Sequence, residues 1–136
     1  MGYGMSEKGL SALILEHVVF DQIEFQRTGF KNDNEAEYEL QVEIGSKADK
    51  SSHRVSLKLD ADKKDEYTIR IVLSGFFRVE KKELSAEIKI EELLKKNAVA
   101  ILMPYLRSEV SLLTAQPETE SLVFPVFNIN AMYDGE

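Results

Sequence analysis

Few side chains in this sequence could act as a general base or a nucleophile. The only histidines are His17 and His53, and neither has a candidate nucleophile at a diagnostic spacing. His17 lies among apolar residues of an alternating stretch, so we interpret it as a structural strand residue. His53 begins another such stretch, and we expect it to be exposed. The sequence contains no GxSxG, HExxH or CxxC motif and no phosphate-binding loop.

The acidic pairs and one tyrosine are the other candidates for catalysis. Glu91 and Glu92, and likewise Glu118 and Glu120, lie in charged runs that are typical of solvated surfaces. Tyr105 lies in an apolar helical stretch, where core packing with one hydrogen bond is the simpler interpretation. Cysteine is absent from the sequence, which excludes disulfides, thiolate metal sites and cysteine nucleophiles. The sequence therefore predicts a protein that is not an enzyme and that uses no metal or cofactor.

Length and charge further restrict the class of protein to which the chain can belong. A chain of 136 residues fits one domain, and 43% hydrophobic with 30% charged residues is the composition of a folded globular protein. The 17 basic and 24 acidic residues give a net charge of −7, which disfavours nucleic-acid binding. No apolar run approaches the roughly 18 residues of a membrane span, and none resembles a signal-peptide core. We expect residues 1–10 to be a flexible lead, residues 11–136 to form a single domain, and the protein to be cytoplasmic.

Alternating apolar and polar residues predict strands in the first half of the chain. Residues 12–26 form the first, and their alternation changes phase near Asp21, which predicts a bulge there. Residues 36–44 give the clearest signal, because every second residue is apolar.

Two further strands follow after charged turns. They cover residues 55–59 and 67–79, and the last is expected to bend at Gly75. We expect glutamates on the polar face to oppose basic residues of neighbouring strands: Glu37, Glu39 and Glu43 against Arg54, Lys58 and Arg70.

The second half of the chain has a helical period. Apolar residues recur at steps of three and four from Leu94 to Leu113. Pro104 lies inside this helix and is expected to kink or locally unwind it. After Pro117 comes an apolar tail too short and proline-broken for an independent helix. The predicted fold class is α+β, with a four-stranded antiparallel sheet followed by a kinked helix on one face.

The predicted helix is too narrow to cover the predicted sheet. Strands about 4.8 Å apart make a four-stranded sheet close to 20 Å wide, whereas one helix is about 10 Å wide. Roughly half of the apolar face would stay in water, which soluble monomers seldom tolerate. Identical subunits or a bound partner should cover the remainder.

Three parts of the sequence resemble a known family. Residues 100–110, which read AILMPYLRSEV, resemble the helix motif of SecB, the bacterial protein-export chaperone, whose core is Leu-Phe-Pro-Tyr-Ala-Arg. Residues 128–133, which read NINAMY, are similar to that family's closing Asn-Phe-Asp-Ala-Leu-Phe/Tyr. Residues 75–77 are similar to the Gly-Ile-Phe or Gly-Phe-Phe of its last strand. The resemblance extends over nearly the whole chain, from about residue 13 to residue 133.

The resemblance implies an ATP-independent holding chaperone that binds unfolded or precursor polypeptides in apolar grooves of a homotetramer. The residues that match groove positions lie on the second strand and in the tail: Tyr38, Leu40, Val42, Ile44, Leu122, Phe124, Phe127, Ile129, Met132 and Tyr133. The helix is then expected to contribute a subunit interface that includes Leu94, Ala98, Ile101 and Tyr105. The implied partners are unfolded polypeptides and other copies of the chain, with no nucleic acid and no membrane.

Departures from the family's pattern separate this chain from the export chaperone. Acidic residues on that family's exposed sheet face dock the translocase motor, and the matching positions here are Gln22, Gln26 and Arg70. Charge reversal at a docking patch lowers encounter rate and specificity, so we expect motor binding to be weak or lost. Loss of motor docking would leave generic holding, or service to a dedicated client such as the antitoxin of a toxin–antitoxin pair; a role in protein export is the other alternative. The alternative from another class is a small α+β enzyme or carrier that encloses a hydrophobic ligand.

Overall fold

Four strands and one helical rod make up the described part of the chain. The computed structural model describes residues 13–49, 51–80 and 90–123, so the expected lead at residues 1–10 lies outside it. The strands are β1 (Leu13–Arg27), β2 (Ala36–Ser46), β3 (His53–Lys63) and β4 (Tyr67–Val79). The rod consists of α1 (Ile90–Leu93), one π-helical turn (Leu94–Ala98) and α2 (Val99–Thr114). This order confirms the predicted α+β class, with an antiparallel sheet followed by a helix.

The strands pair in the order β1-β4-β3-β2, and every described pair is antiparallel. Two hairpins connect β2 to β3 and β3 to β4, while β1 lies beside β4, which is a Greek-key arrangement. Asp65 in the β3–β4 turn has a φ of 61°, a left-handed conformation that aspartate tolerates better than most residues. The order leaves β1 and β2 as the two edges of the described sheet.

The two edge strands differ in regularity. The pairing of β1 with β4 skips one residue between Leu15 and His17 and another between Phe20 and Gln22. The second bulge confirms the one expected near Asp21, whereas the first was not expected. Because each bulge shifts the alternation by one, the inner face of β1 reads Leu13, Leu15, Val18, Phe20, Ile23 and Phe25. The pairing of β2 with β3 has no such shift over its full length.

The core lies between the inner face of the sheet and the rod. On the rod, buried residues recur every four positions. The central core residues, each at most 2% exposed, are Val55, Leu57, Leu59, Ile69, Ile71, Leu73, Leu94, Ala98, Leu102, Leu106 and Val110. Each large aliphatic side chain buried in this way stabilises the fold by about 1.5–3 kcal/mol.

The irregular turn of the rod does not lie at Pro104. The backbone stays α-helical across this proline, so the local unwinding expected there is not observed. The irregularity is the π-helical turn Leu94–Ala98. Because a π turn holds more residues than an α turn, it offsets the angular drift of side chains spaced four apart and keeps Leu94 and Ala98 facing the sheet. No described helix is long and apolar enough to cross a membrane.

Gly75 lets the rod approach β4 closely. A Cβ at this position would lie 2.6 Å from Cδ2 of Leu102 and 2.9 Å from Cε2 of Phe77. Both neighbouring side chains are fully buried, so neither can move away without disturbing the core.

We expect Gly75→Ala to lower the free energy of unfolding by about 1–3 kcal/mol through overpacking. Urea denaturation measures the effect. Gly45→Ala is the matched control, because a Cβ at Gly45 meets no atom within 4 Å. Equal stability of the two variants would contradict the role assigned to Gly75.

Candidate functional site

The helical rod leaves the edge strands partly uncovered. Inner-face residues of the central strands, such as Leu57 and Ile71, are 0% exposed. Most inner-face residues of β1 and β2 are only partly buried where they pack against the core cluster; Leu13 is buried, whereas Ile23 in β1 is 46% exposed. The described rod is therefore too narrow for the sheet, as the sequence predicted.

Four of the predicted client-binding residues lie in one row on β2. We call Tyr38, Leu40, Val42 and Ile44 the β2 strip; all four are half-buried. In the pairing with β3 they stand opposite buried residues, respectively Ala61, Leu59, Leu57 and Val55. Alternate residues are about 6.6 Å apart along a strand, so the strip is roughly 20 Å long. It is long enough to contact several side chains of one extended polypeptide.

The β2 strip ends at a depression beside the start of the rod. The depression has a volume of about 350 Å³ and is lined by Ile44, Ser46, His53, Ile90, Glu91 and Leu94. His53 is only 1% exposed, so the expectation that it is exposed was wrong. Its position in β3 places it on the inner face, where its Nδ1 lies 2.7 Å from the Ser46 hydroxyl oxygen.

The chain returns to the sheet after the rod. Arg27, at the end of β1, donates hydrogen bonds to the Glu118 carbonyl at 3.2 Å and to the Thr119 hydroxyl. The Leu122 N–H donates to the Thr114 hydroxyl at 2.8 Å, and the Leu122 side chain packs against the core cluster. The other predicted tail residues, Phe124, Phe127, Ile129, Met132 and Tyr133, lie outside the described residues, and their role stays a prediction.

The predicted subunit interface divides into two parts. Leu94 and Ala98 are at most 1% exposed and pack against the chain's own sheet. Ile101 is half-buried and Tyr105 is 43% exposed, so core packing was the wrong expectation for Tyr105. Leu112, 66% exposed and seven residues after Tyr105, lies on the same helix face. In this conformation a second subunit can contact Ile101, Tyr105 and Leu112, but not the two buried residues.

The outer face of the sheet is acidic near the start of β2. Glu43 and Lys58 form the cross-strand ion pair expected from the sequence, with a 2.9 Å separation. Glu37 and Glu39 instead stand opposite Asp62 and Asp60 of β3. Like charges in directly opposed positions destabilise a sheet.

Arg70 is the basic residue that β4 contributes to this acidic region. Its Nε lies 2.7 Å from Asp60 Oδ1, and the ion pair raises the pKa of the guanidinium. The charge at this predicted docking position is therefore already engaged within the sheet.

A buried ion pair fixes the start of β2 at the opposite end of the strip from His53. Glu66 is 0% exposed, and its Oε1 lies 2.9 Å from Nζ of Lys63 and accepts the Asn32 N–H at 2.8 Å. The Glu66 carbonyl accepts the N–H groups of Thr28 and Gly29. The β3–β4 turn and the connection that leads into β2 are thus held together by one residue.

The surroundings of Glu66 favour its charged form. Burial acts to raise the pKa of the Glu66 carboxyl, but the hydrogen bonds from Lys63 and Asn32 outweigh burial and lower it below its ordinary value. Burial and the nearby Tyr38, Glu66 and Glu120 raise the pKa of Tyr67 to about 12. These shifts accompany structural contacts at one end of the sheet.

The residues that the sequence considered for catalysis are separated in the structure. His17 is exposed on the outer face, with its ring edge-on to Phe76 at a centroid distance of 6.4 Å. His53 lies on the inner face, where its ring is hydrogen-bonded to the Ser46 hydroxyl. Among the described residues no group of three or more His, Cys, Asp or Glu side chains could hold a metal ion. The chemistry that the arrangement offers is apolar contact and main-chain hydrogen bonding.

The chain is similar to known proteins in its structure rather than in its sequence. No protein-family model and no curated protein sequence matches the chain. A solved structure of the Rv1957 SecB-like chaperone of Mycobacterium tuberculosis, in complex with a ChAD peptide from the Rv1956 HigA1 antitoxin, superposes with a TM-score of 0.68. The match covers 87% of this chain and 92% of that one at 15% sequence identity. The chain has a SecB-like fold.

A second solved structure that matches the chain carries no functional description. It is a protein of unknown function from Streptococcus agalactiae, with a TM-score of 0.53 and 16% identity. It covers 82% of this chain and 97% of that one.

Two features of the SecB-like fold were not predicted from the sequence. The inner face of β1, with exposed Ile23 and half-buried Phe20 and Phe25, forms a second apolar strip beside the rod. The depression around His53 was also missed. The β1 strip was missed because the sequence does not give the strand order, which makes β1 the other edge of the sheet. The depression was missed because the sequence does not show that the rod crosses over β3.

Proposed function

We propose that this protein is a cytoplasmic holding chaperone, not an enzyme, that binds unfolded polypeptide segments without ATP. The observation that carries the proposal is the β2 strip, a row of half-buried apolar side chains on an edge strand beside a helix that covers mainly the central strands. The SecB-like neighbour solved with an antitoxin peptide supports the same role.

Each apolar side chain on such a surface contributes only weakly to client binding, and the affinity increases with the number of contacts. Full burial of one apolar side chain contributes about 1.5–3 kcal/mol, from which the entropy of ordering the client must be subtracted. Several strips on one assembly raise the effective concentration of the next client segment. We therefore propose a homotetramer in which Ile101, Tyr105 and Leu112 of the rod contact other copies.

We propose that the chaperone serves a dedicated client rather than general protein export. Arg70 stands where the export chaperone has an acidic docking residue, and its charge is paired with Asp60. The neighbouring structure holds that chaperone in complex with a peptide from an antitoxin. The carrier alternative requires a cavity beneath the sheet, a region that Leu57, Ile71 and Leu102 fill as part of one buried cluster.

Light scattering coupled to size-exclusion chromatography tests the proposal. We expect the purified protein to elute with the mass of four protomers, and this mass to increase when reduced, carboxamidomethylated lysozyme is added without ATP. Native lysozyme is the control and should leave the mass unchanged. A mass that unfolded lysozyme does not change would contradict a holding function.

A further inference from the structure

We propose that an extended client segment adds to the sheet as a fifth strand along β2, with apolar residues at alternate positions and lysine or arginine between them. This inference rests on the proposed function and specifies how the client is recognised. Three independent features of β2 lead to it: its regular edge, the position of its apolar side chains and the charge of its outer side chains.

The first feature is the regularity of the β2 edge. Long edge strands are usually protected by bulges, prolines or lysines, because their unpaired backbone groups are a template for another chain. The other edge strand, β1, has two bulges. In contrast, β2 pairs with β3 over eleven residues without a shift, and residues 36–46 include no proline, lysine or arginine. Of the two described edges, β2 is the one built to accept a strand.

The second feature is the direction in which the backbone N–H and C=O groups of β2 point. The Lys47 N–H donates to the Ser52 carbonyl at 3.0 Å, which makes 47 and 52 a hydrogen-bonded pair at the hairpin end. Hydrogen-bonded and non-hydrogen-bonded pairs alternate in an antiparallel ladder. The odd-numbered residues of β2 therefore bond to β3, and the N–H and C=O groups of Leu40, Val42 and Ile44 point to the edge.

The residues that direct their backbone groups to the edge are also those that form the β2 strip. A strand added at about 4.8 Å would extend the inner face with its own alternate side chains, next to Leu40, Val42 and Ile44. These side chains would lie on the same face as the strip and bury apolar surface against it.

The third feature is the charge on the outer face of the same strand. Glu37, Glu39 and Glu43 are exposed, and two of them stand opposite Asp62 and Asp60 rather than basic residues. For Glu37 and Glu39 the remaining cross-strand neighbour is the added strand. Lysine or arginine at its outward positions would form cross-strand pairs with the glutamates and relieve their mutual repulsion.

Peptide binding measured by fluorescence anisotropy tests the inference. The probe is a nine-residue peptide in which valine alternates with lysine, and its affinity is compared with that of two N-methylated versions. In one version, the methylated residues are the alternate ones whose backbone N–H groups would point to β2. This change should weaken binding about tenfold or more, because it removes main-chain donors. N-methylation of the other alternate set should change the affinity by about twofold at most.

Charge is tested separately, with a peptide in which glutamate replaces every lysine. We expect this peptide to bind about tenfold more weakly than the lysine peptide. The double variant Glu37→Gln/Glu39→Gln should remove most of the difference. Glu24→Gln, on the same outer face but on the far strand β1, is the matched control and should retain it.

The outcomes separate this inference from the proposed function. Equal affinity of the two N-methylated peptides, or no preference for lysine over glutamate, would overturn strand addition even if the unfolded lysozyme still bound. If neither the peptides nor the unfolded lysozyme bound, the proposed function and the inference would both be wrong.

Discussion

Val42→Asp is expected to weaken the binding of an unfolded client about tenfold or more. Val42 lies at the centre of the β2 strip, where aspartate would place a charge against apolar client side chains and remove an apolar contact. Anisotropy with labelled, unfolded lysozyme measures the loss, and Ile44→Asp should have a similar effect.

The matched control for this prediction is Gln41→Asp. Gln41 is next to Val42 on the same strand, but it is exposed on the outer face. Both variants should keep the assembly mass and the thermal unfolding transition of the wild type, apart from a modest loss of stability for Val42→Asp. If Val42→Asp remains folded and retains full client affinity, the strip is not the binding surface.

Glu66→Gln is expected to lower the free energy of unfolding by about 3–5 kcal/mol at neutral pH, because it leaves the Lys63 ammonium buried without its counter-charge. Urea denaturation measures this loss. Glu43→Gln, which removes an exposed ion pair with Lys58, should cost only about 0–1 kcal/mol and serves as the control.

The effect of Glu66→Gln should depend on pH. The folded-state pKa of Glu66 lies below its ordinary value of 4.5, so the carboxylate stabilises the folded protein fully above that value. The stabilisation is lost as pH falls through the lowered pKa, and the wild type and the variant should approach equal stability there. A difference in stability that stays constant from neutral to acidic pH would show that the charge of Glu66 is not the cause.

The sequence predicted the elements well where one face of a strand is strictly apolar and the other strictly polar. Residues 36–44 are such a case, and β2 has the predicted inner face throughout. In β1 the first bulge was missed because Ile14 and Val19 are apolar although they lie on the outer face, which hides the change of phase. The second bulge was predicted because Asp21 interrupts the apolar run.

Register and partner choice were harder to predict than the elements. The pair between Glu43 and Lys58 was expected and is present, but Glu37 and Glu39 face acids. The register of a hairpin depends on the geometry of its turn, which charge patterns do not determine. For the same reason the burial of His53 was missed, since its position below the rod depends on where β3 begins.

Burial on the rod shows a third limit of prediction. Leu94 and Ala98 belong to an apolar stripe, and the sequence cannot tell whether such a stripe contacts its own sheet or another subunit. The structure assigns both residues to the chain's own core. The β2 residues predicted to bind clients lie in one row, and those of the tail beyond residue 123 lie outside the described residues; client binding by either set stays a prediction.

The two skipped residues of β1, Glu16 and Asp21, interrupt the straight edge that this strand would otherwise present. Without them β1 would match the 13 residues of β4 one for one, and its inner face would be unchanged. Each molecule would then carry a straight edge on both sides of the described sheet. Copies could then join edge to edge into an open-ended ribbon, because head-to-tail contacts continue without limit when the rotation between copies does not close a ring. With Glu16 and Asp21 present, the two bulges of β1 disfavour such growth.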